Sequence, residues 1–276
     1  MPTDSLTVLI REPRPSENTV VRMHGVHFAY CTDLVRATAE PKPEADGQLY
    51  TGFNLEIEQG TILALMGASG SGKSTLGKIM AGIIRPTAGR IDWSPQFKKK
   101  SDVVYIDQQP MNSIFPWQSV RRNLEYPLEK LGWAEEEARA RIAYLVALFR
   151  LEGVMDAFPA HISGGELQRV ALARCLSWKP ELVILDEPFS ALDGKIKEAI
   201  IAALHELAAT DRMTLVLITH NISDALAIGT RCIVIGERPV RIISDLEFTT
   251  GYPREGGVDY EKMQQALISG IRHGLV

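Results

Sequence analysis

The chain has 276 residues, enough for one large domain or for one domain carrying a subdomain. A composition of 45% hydrophobic and 23% charged residues is ordinary for a globular protein in water, and a net charge of -4 argues against nucleic acid as the main partner. No apolar run approaches the ~18–20 residues that a bilayer crossing needs, and "MPTDSLTVLIREPRP" has no charged segment leading into an apolar one, so neither a span nor a signal peptide is expected. The three cysteines, Cys31, Cys175 and Cys232, have no CxxC spacing. They imply neither a disulfide framework nor a zinc site, which suits a reducing compartment. Cys175 and Cys232 lie in apolar runs and read as small buried hydrophobes.

Residues 1–19 are polar and dotted with proline, a loose lead-in. "TVVRMHGVHFAY" alternates as a strand does, and residues 31–48 break the pattern with prolines and acids, as an exposed loop does. "FNLEIEQG" places Phe53, Leu55 and Ile57 on one face before a turn at Gly60. "TILALMG" is a continuous apolar run, the pattern of a strand buried on both faces. "KSTLGKIMAGII" then shows helical apolar spacing at Leu76, Ile79, Met80 and Ile83. The basic run Lys98-Lys99-Lys100 reads as a solvated turn. "DVVYID" is a further buried strand.

From about 110 to 165 the composition turns rich in Leu, Ala, Glu and Arg with helical periodicity, a helical subdomain inserted into an α/β layer. "ELVILD", "TLVLIT" and "RCIVIG" are later strands, with "KIKEAIIAALHELAAT" a helix before the second of them. Strands alternating with helices predict a parallel sheet covered on both faces. The expected division is a nucleotide-binding core over 20–109 and 166–240, a helical subdomain over 110–165, and a tail over 241–276 whose last stretch can form a packing helix.

Gly67-x-x-x-x-Gly72-Lys73-Ser74 satisfies the phosphate-loop pattern, preceded by a buried strand and followed by a helix. Its glycines, Gly67, Gly70 and Gly72, let the backbone N–H groups converge on one point where the helix N-terminus adds positive potential. Ala68, Ser69, Ser71 and Thr75 complete the cradle, with Lys73 reaching terminal phosphates and the Ser74 hydroxyl suited to Mg²⁺. "LVILDEP" ends a buried strand on Asp186 and Glu187. Asp186 suits the metal, and Glu187 is placed to orient or deprotonate a water. The bland alternative for the pair is an ordinary strand end with a turn after it.

A second glycine pair headed by serine, "ISGGELQRV", stands far downstream of the phosphate loop. With it the chain resembles the nucleotide-binding subunit of an ABC transporter. The phosphate loop is similar to that family's Walker A motif, "LVILDEP" to its Walker B motif and "ISGGELQRVALARCL" to its signature motif. "SALD" resembles its D-loop, "LITHN" its switch-histidine segment, and "YIDQQPMNSIFPWQSV" its Q-loop. The resemblance implies the fold of a RecA-like P-loop NTPase with the helical insertion, with ATP and Mg²⁺ as ligands. It implies that Ser163, Gly164 and Gly165 serve the nucleotide of a second ATPase subunit packed head to tail, a homodimer by expectation. His220 would contact the γ-phosphate, Gln108 the metal or the water, and Asp193 would bridge the two sites. Tyr30 in "VHFAY" would stack on adenine.

Two letters depart from the commoner signature. Ile162 stands for leucine and keeps an apolar anchor. Glu166 stands for glutamine and puts an acid near the loop, with a side chain that can face away from phosphate, so both letters read as tolerated variants. Gln109, adjacent to Gln108, leaves the register of the sensing glutamine open. A single ATPase unit resembles a bacterial importer subunit, and "FPWQSVRRNLEYPL" and "ERPVRIISDLEF" resemble the nitrate, sulfonate and taurine group. The implied partners are two membrane permease subunits and, indirectly, a substrate-binding protein, at the cytoplasmic face of the cell membrane. Met111, Ile114, Phe115 and Trp117 are candidates for a permease-docking groove or for subdomain core. Competing readings are an ABC ATPase of DNA repair or the ribosome, an exporter or lipid-trafficking subunit, and a P-loop kinase, which would leave "ISGGELQRV" unexplained.

Overall fold

A computed structural model of the protein describes residues 9–10, 18–30, 47–97, 100–190, 192, 194–248, 261, 264–265 and 267–269. The greater part of the 31–48 loop, the whole lead-in before residue 18 apart from 9–10, and most of the tail lie outside the described residues. The chain forms two compact units, residues 1–98 with 216–276, and residues 99–215.

The first unit contains strands of two kinds, and the sequence pattern separates them. β2 (Thr19–Ala29) and β3 (Gln48–Glu58) alternate buried and open positions, with Phe53, Leu55 and Ile57 buried as expected. That is the pattern of an antiparallel sheet with one face in the core. They pair with β5 (Ala88–Trp93) in a three-stranded antiparallel sheet of order β3-β2-β5. β4 (Ile62–Met66) and β9 (Arg231–Gly236) are buried at every position and pair in parallel. They belong to the larger sheet, where β1 (Leu9–Ile10), β10 (Arg241–Glu247), β9, β4 and β8 (Thr214–Ile218) are successive neighbours. β10 runs antiparallel to both β1 and β9. The α/β class therefore holds, but the expected parallel sheet is mixed, because a short turn after β9 returns the chain as a hairpin, where a parallel neighbour would need a crossover.

Arg231 ties the two sheets together. Buried on β9, its guanidinium donates to Asp245 of β10 at 2.8 and 2.6 Å and to the Glu56 carbonyl of β3 at 2.6 Å. Beside it, Met66, Leu226, Cys232, Val234, Leu246 and Phe248 form one buried cluster. Leu267 joins it from the last stretch of the chain, as a packing helix would. α1 (Lys73–Met80) buries Leu76, Ile79 and Met80, while Ile83 falls beyond the helix and is exposed. The helical period was extended one turn too far, since Gly82 at φ +69 turns the chain and the Trp93 indole N–H caps the Met80 carbonyl. α6 (Ile222–Ile228) follows an Asn221 cap.

In the second unit β6 (Val103–Ile106) and β7 (Leu182–Asp186) pair in parallel. Between them the described residues contain no strand, only short 3-10 turns and α2 (Val120–Lys130), α3 (Glu135–Phe149) and α4 (Gly164–Leu176). α5 (Gly194–Asp211) comes after β7. Three acids open α3, where they complement the helix dipole. Asn123 is fully buried and accepts from the Phe115 N–H while its amide donates to the carbonyls of Phe115, Gln118 and Ser119. It thereby fixes the loop from Phe115 to Ser119. Cys175 and Cys232 are buried free thiols, both pushed up by burial, Cys175 to about 11. They are the inert hydrophobes that their apolar runs imply.

Arg141 of α3 clasps this unit. Its guanidinium donates to the Ser177 and Leu176 carbonyls at the end of α4, and to Asp211 at the end of α5 at 2.6 Å. Both partners of the ion pair are buried. Truncation would strand the Asp211 charge with only the more distant Lys179 at 3.6 Å. Arg141→Ala is expected to cost about 3 kcal/mol in urea unfolding, the scale of a broken buried pair.

Candidate nucleotide-binding site

The loop from Gly67 to Thr75 leaves β4 and enters α1. Two of its glycines are required by close approach. A Cβ on Gly67 would lie 2.4 Å from the Ile235 carbonyl oxygen, and one on Gly72 would lie 2.6 Å from the Tyr50 hydroxyl. Gly72 also sits at φ +94, which favours glycine. The loop is thus pressed against the end of β9 and the start of β3. Tyr50 donates its hydroxyl proton to the Gly72 carbonyl at 2.8 Å. Burial, and secondarily Tyr30, pushes its phenol well above the usual range, so it stays a neutral donor.

Lys73 is buried, and its ammonium donates to the Gly67 and Ala68 carbonyls, both at 2.8 Å. α1 has no side-chain cap and no acid in its first turn, so its N-terminal N–H groups and dipole are left for an anion. Among the described residues the buried Ser71 hydroxyl has no hydrogen-bond partner. Ser69, Gly70 and Ser74 are exposed. A cavity of about 270 Å³ opens here, lined among others by Tyr30, Lys73, Ser74, Thr75 and Arg238. The described residues that line it include two cations and no carboxylate. The fit is to a polyanion.

Tyr30 stands at the rim. Its ring is 60% exposed, rests edge-on against Phe28 at 5.1 Å, and shares a 2.5 Å hydrogen bond with the Thr75 hydroxyl. His220 follows β8. The Thr219 N–H donates to the Leu65 carbonyl at 3.1 Å, which aligns exposed His220 with the point where β4 becomes the loop.

The second unit gathers the acidic groups. β6 and β7 are in register from Val103 opposite Leu182 to Ile106 opposite Leu185, so both strands deliver their next residues at one carboxyl edge. Asp186 is buried and accepts a hydrogen bond from Tyr105 at 2.5 Å. Glu187 is half-buried in the left-handed region, at φ +47. Gln108 and Gln109 are both exposed, and Asp107 holds the loop by accepting from the Gln109 N–H and the Asn112 amide. Among the described residues no group of three or more His, Cys, Asp or Glu could hold a metal ion. The donor set instead suits Mg²⁺ arriving with phosphate oxygens, with one or two protein oxygens added.

Ser163 caps α4, with Gly164 and Gly165 in its first turn. Gly164 is exposed and a Cβ there would meet nothing within 4 Å. Glu166 turns back toward Ser163. Its carboxylate folds back to accept from the Ser163 N–H at 2.8 Å and the Ser163 hydroxyl at 2.7 Å, while its own N–H donates to Ser163 Oγ at 3.3 Å. The reciprocal capping box satisfies two orphan donors, which outweighs keeping the acid in solvent. Asp193 lies outside the described residues. The groove candidates divide: Ile114 is buried and belongs to the core, whereas Met111 and Trp117 are exposed. Phe115 is stacked beneath the Arg174 guanidinium at 4.4 Å. Sequence reasoning missed Tyr50, Tyr105 and Arg238. The "ERPVR" stretch was the only available signal for Arg238.

A strand-loop-helix cradle for phosphate on a buried parallel strand places the molecule among the P-loop nucleotide-binding proteins. Residues 50–190 match the family model described as ABC transporter. The chain is 34% identical over 224 residues to the aliphatic sulfonates import ATP-binding protein of Pseudomonas syringae pv. syringae, which covers 80% of this chain and 89% of that one. It is 35% identical over 195 residues to the sulfate/thiosulfate import ATP-binding protein of Synechococcus elongatus, covering 69% of this chain. The alignment spans only 56% of that relative's length. Among solved structures, a dimeric ATP-binding cassette in a post-hydrolysis state, bound to ADP and Pi, superposes with a TM-score of 0.68 at 27% identity, covering 84% of this chain and 100% of that one. The chain belongs to the ABC transporter family of ATP-binding domains. No helix of the described residues is long and apolar enough to cross a membrane.

Two outcomes test this geometry. At φ +47 any side chain is strained, so Glu187→Gly should unfold at least as late as Glu187→Ala, with a gain of about 1 kcal/mol in place of glycine's usual deficit. The Ser163 hydroxyl, then the Ser163 N–H, hold the Glu166 carboxyl below its ordinary value of 4.5. A depressed folded value means that the cap contributes fully above the unfolded value and fades as pH falls through the folded one. Glu166→Ala should therefore cost about 1 kcal/mol near neutral pH, and denaturant titrations at descending pH should show the difference closing only in strong acid.

Proposed function

We propose that this chain is the ATP-hydrolysing subunit of an ABC importer for a small oxyanion or sulfonate, working as a dimer beneath membrane permease subunits. The observation that carries the reading is the pair of exposed helix starts in one chain. One, at Lys73, is uncapped and opens on a cationic cavity. The other, at Ser163, presents exposed Gly164 with half-buried Gly165 beside it. A single phosphate cradle explains the first and has no use for the second. A nucleotide shared across a two-fold axis uses both.

In this reading the loop N–H groups from Gly67 to Thr75 and the Lys73 ammonium hold the triphosphate, and Tyr30 meets the adenine. The Gly67 and Ala68 carbonyls that now hold Lys73 hand it over to phosphate oxygens. Ser74, Asp186 and Gln108 are the residues that would hold Mg²⁺, which when bound neutralises charge on the terminal phosphates. Glu187 orients the attacking water and accepts its proton, while His220 donates a hydrogen bond to the γ-phosphate. Ser163, Gly164 and Gly165 serve the nucleotide of the partner subunit, and Asp193 joins the two sites. To donate a hydrogen bond to that phosphate, the Ser163 hydroxyl leaves the Glu166 carboxylate.

ATP binding then closes the dimer and hydrolysis reopens it, a two-state element biased by a ligand that prefers the closed state. In this reading exposed Met111 and Trp117, the latter on the loop that Asn123 pins, are the surface offered to the permease, and the chain works at the cytoplasmic membrane face. Solute reaches the permease through a separate binding protein. The relatives named for sulfate and sulfonates support this solute class.

The test is a pair of variants in size-exclusion chromatography. Glu187→Gln should retain ATP, lose hydrolysis by at least about a hundredfold, the scale of a lost general base, and run as a dimer with ATP. Adding Ser163→Arg should return it to a monomer that still binds ATP. A dimer that survives the second substitution would sink the shared site.

A further inference from the structure

The cationic cavity contains one charge that the phosphate-loop pattern does not supply. Arg238 sits in the turn between β9 and β10 and lines the cavity with Tyr30, Lys73 and Thr75. Its guanidinium donates to the Gly70 carbonyl at 3.2 Å, at the crown of the loop. The turn carrying it is fixed on both sides. Before Arg238, the Ile235 carbonyl packs so closely on Gly67 that no Cβ fits between them. After it, the Val240 N–H donates to the Leu49 carbonyl at 2.8 Å, and Leu49 also lines the cavity. The exposed side chain is therefore mounted on a backbone anchored to both walls of the site.

We propose that Arg238 is a nucleotide-binding residue, contacting the part of the nucleotide that ATP and ADP share. This rests on reading the cavity as the ATP site. Among the described residues the Arg238 guanidinium has one acceptor, the exposed Gly70 carbonyl, and it keeps further donors for an anion, since Arg presents five in a planar fork. Lys73, at the helix start, is the group that reaches terminal phosphates. Arg238 and Tyr30 line the same cavity, and Tyr30 is hydrogen-bonded to Thr75, one position further into the helix than the metal-side Ser74. Arg238 thus meets the nucleotide between base and β-phosphate. The β9–β10 turn becomes a third binding segment, which neither the phosphate loop nor the acidic strand end predicts.

Calorimetric titration of the full chain with Mg-ATP and Mg-ADP tests this, on wild type and on Arg238→Ala, Arg238→Gln and Arg238→Lys. The Ala and Gln variants should bind both nucleotides about fivefold more weakly at low salt, the scale of a partly exposed charge contact. The Lys variant should recover part of the loss. The gap from wild type should shrink as salt is raised. Thermal unfolding of the unliganded variants should match wild type.

Undiminished binding by Arg238→Ala overturns the assignment to this residue while leaving the cavity's reading intact. Full recovery by Arg238→Gln also overturns it, because a neutral donor to Gly70 would then suffice. A loss confined to ATP overturns the contact to the shared part of the nucleotide. A wild-type chain that binds neither nucleotide overturns the reading of the cavity itself, and this proposal with it.

Discussion

A buried ammonium needs acceptors, and in this molecule the Lys73 ammonium takes them from the backbone of its own loop. That contact demands a chain that curls back six residues within a tight radius. The curl demands glycine where the wall approaches, at Gly67 against Ile235 and at Gly72 against Tyr50. The walls, in turn, are the end of β9 and the start of β3, two strands that Arg231 joins near their other ends. The stability of the two sheets and the shape of the cradle are thus one problem. The loop's carbonyls are satisfied by a cation that can exchange them for stronger, charged acceptors without moving far.

The two glycine-bearing helix starts solve the same electrostatic problem in opposite ways. α1 keeps its N-terminus free of acids and side-chain caps, and its dipole points into a cavity without carboxylates among the described lining. α4 is closed by the carboxylate of Glu166, which already occupies the position an incoming anion would favour. A phosphate arriving at Ser163 competes with an internal anion held by two short hydrogen bonds. On the proposed reading, the first site binds nucleotide before the second engages, and the order of capture and closure follows from which helix carries its own counter-charge.

The sequence displayed what depends on local chemistry. The continuous apolar run "ILALM" gave a buried parallel strand, and the spacing from Gly67 to Ser74 located the cradle. The helical character of 110–165 was legible because no competing strand period interrupts it. What escaped detection depends on residues distant in sequence. Arg238 reaches Gly70 across 168 positions, and Tyr105 reaches Asp186 across 81. No periodicity or motif connects such pairs. Ile114 and Trp117 are both apolar and three apart, yet one is core and the other surface, because the bonds of Asn123 set the intervening loop. The mixed sheet was hidden because β10 is mostly half-exposed and carries no continuous apolar run to mark it as a strand.

Glu187 shows why such a site cannot be improved for stability alone. Its φ of +47 is a conformation that an L-residue enters only at a cost of order 1 kcal/mol. Asn or Gly would tolerate the position better, and neither offers a carboxylate. The strain is supported by what surrounds it, a fully buried strand before the residue and the buried Phe189 two positions after it. Because the backbone turns sharply there, the carboxylate leaves the strand's edge in a direction that an extended continuation could not give. On the proposed reading, a glutamate kept at a position that suits glycine is there for its carboxylate, as the base in hydrolysis. The same turn places Asp186 and Glu187, adjacent in sequence, in different surroundings, one bound by Tyr105 and buried, the other half-open to solvent. On the proposed reading the two neighbouring carboxylates take unlike roles, the buried one as a ligand and the half-open one as the base.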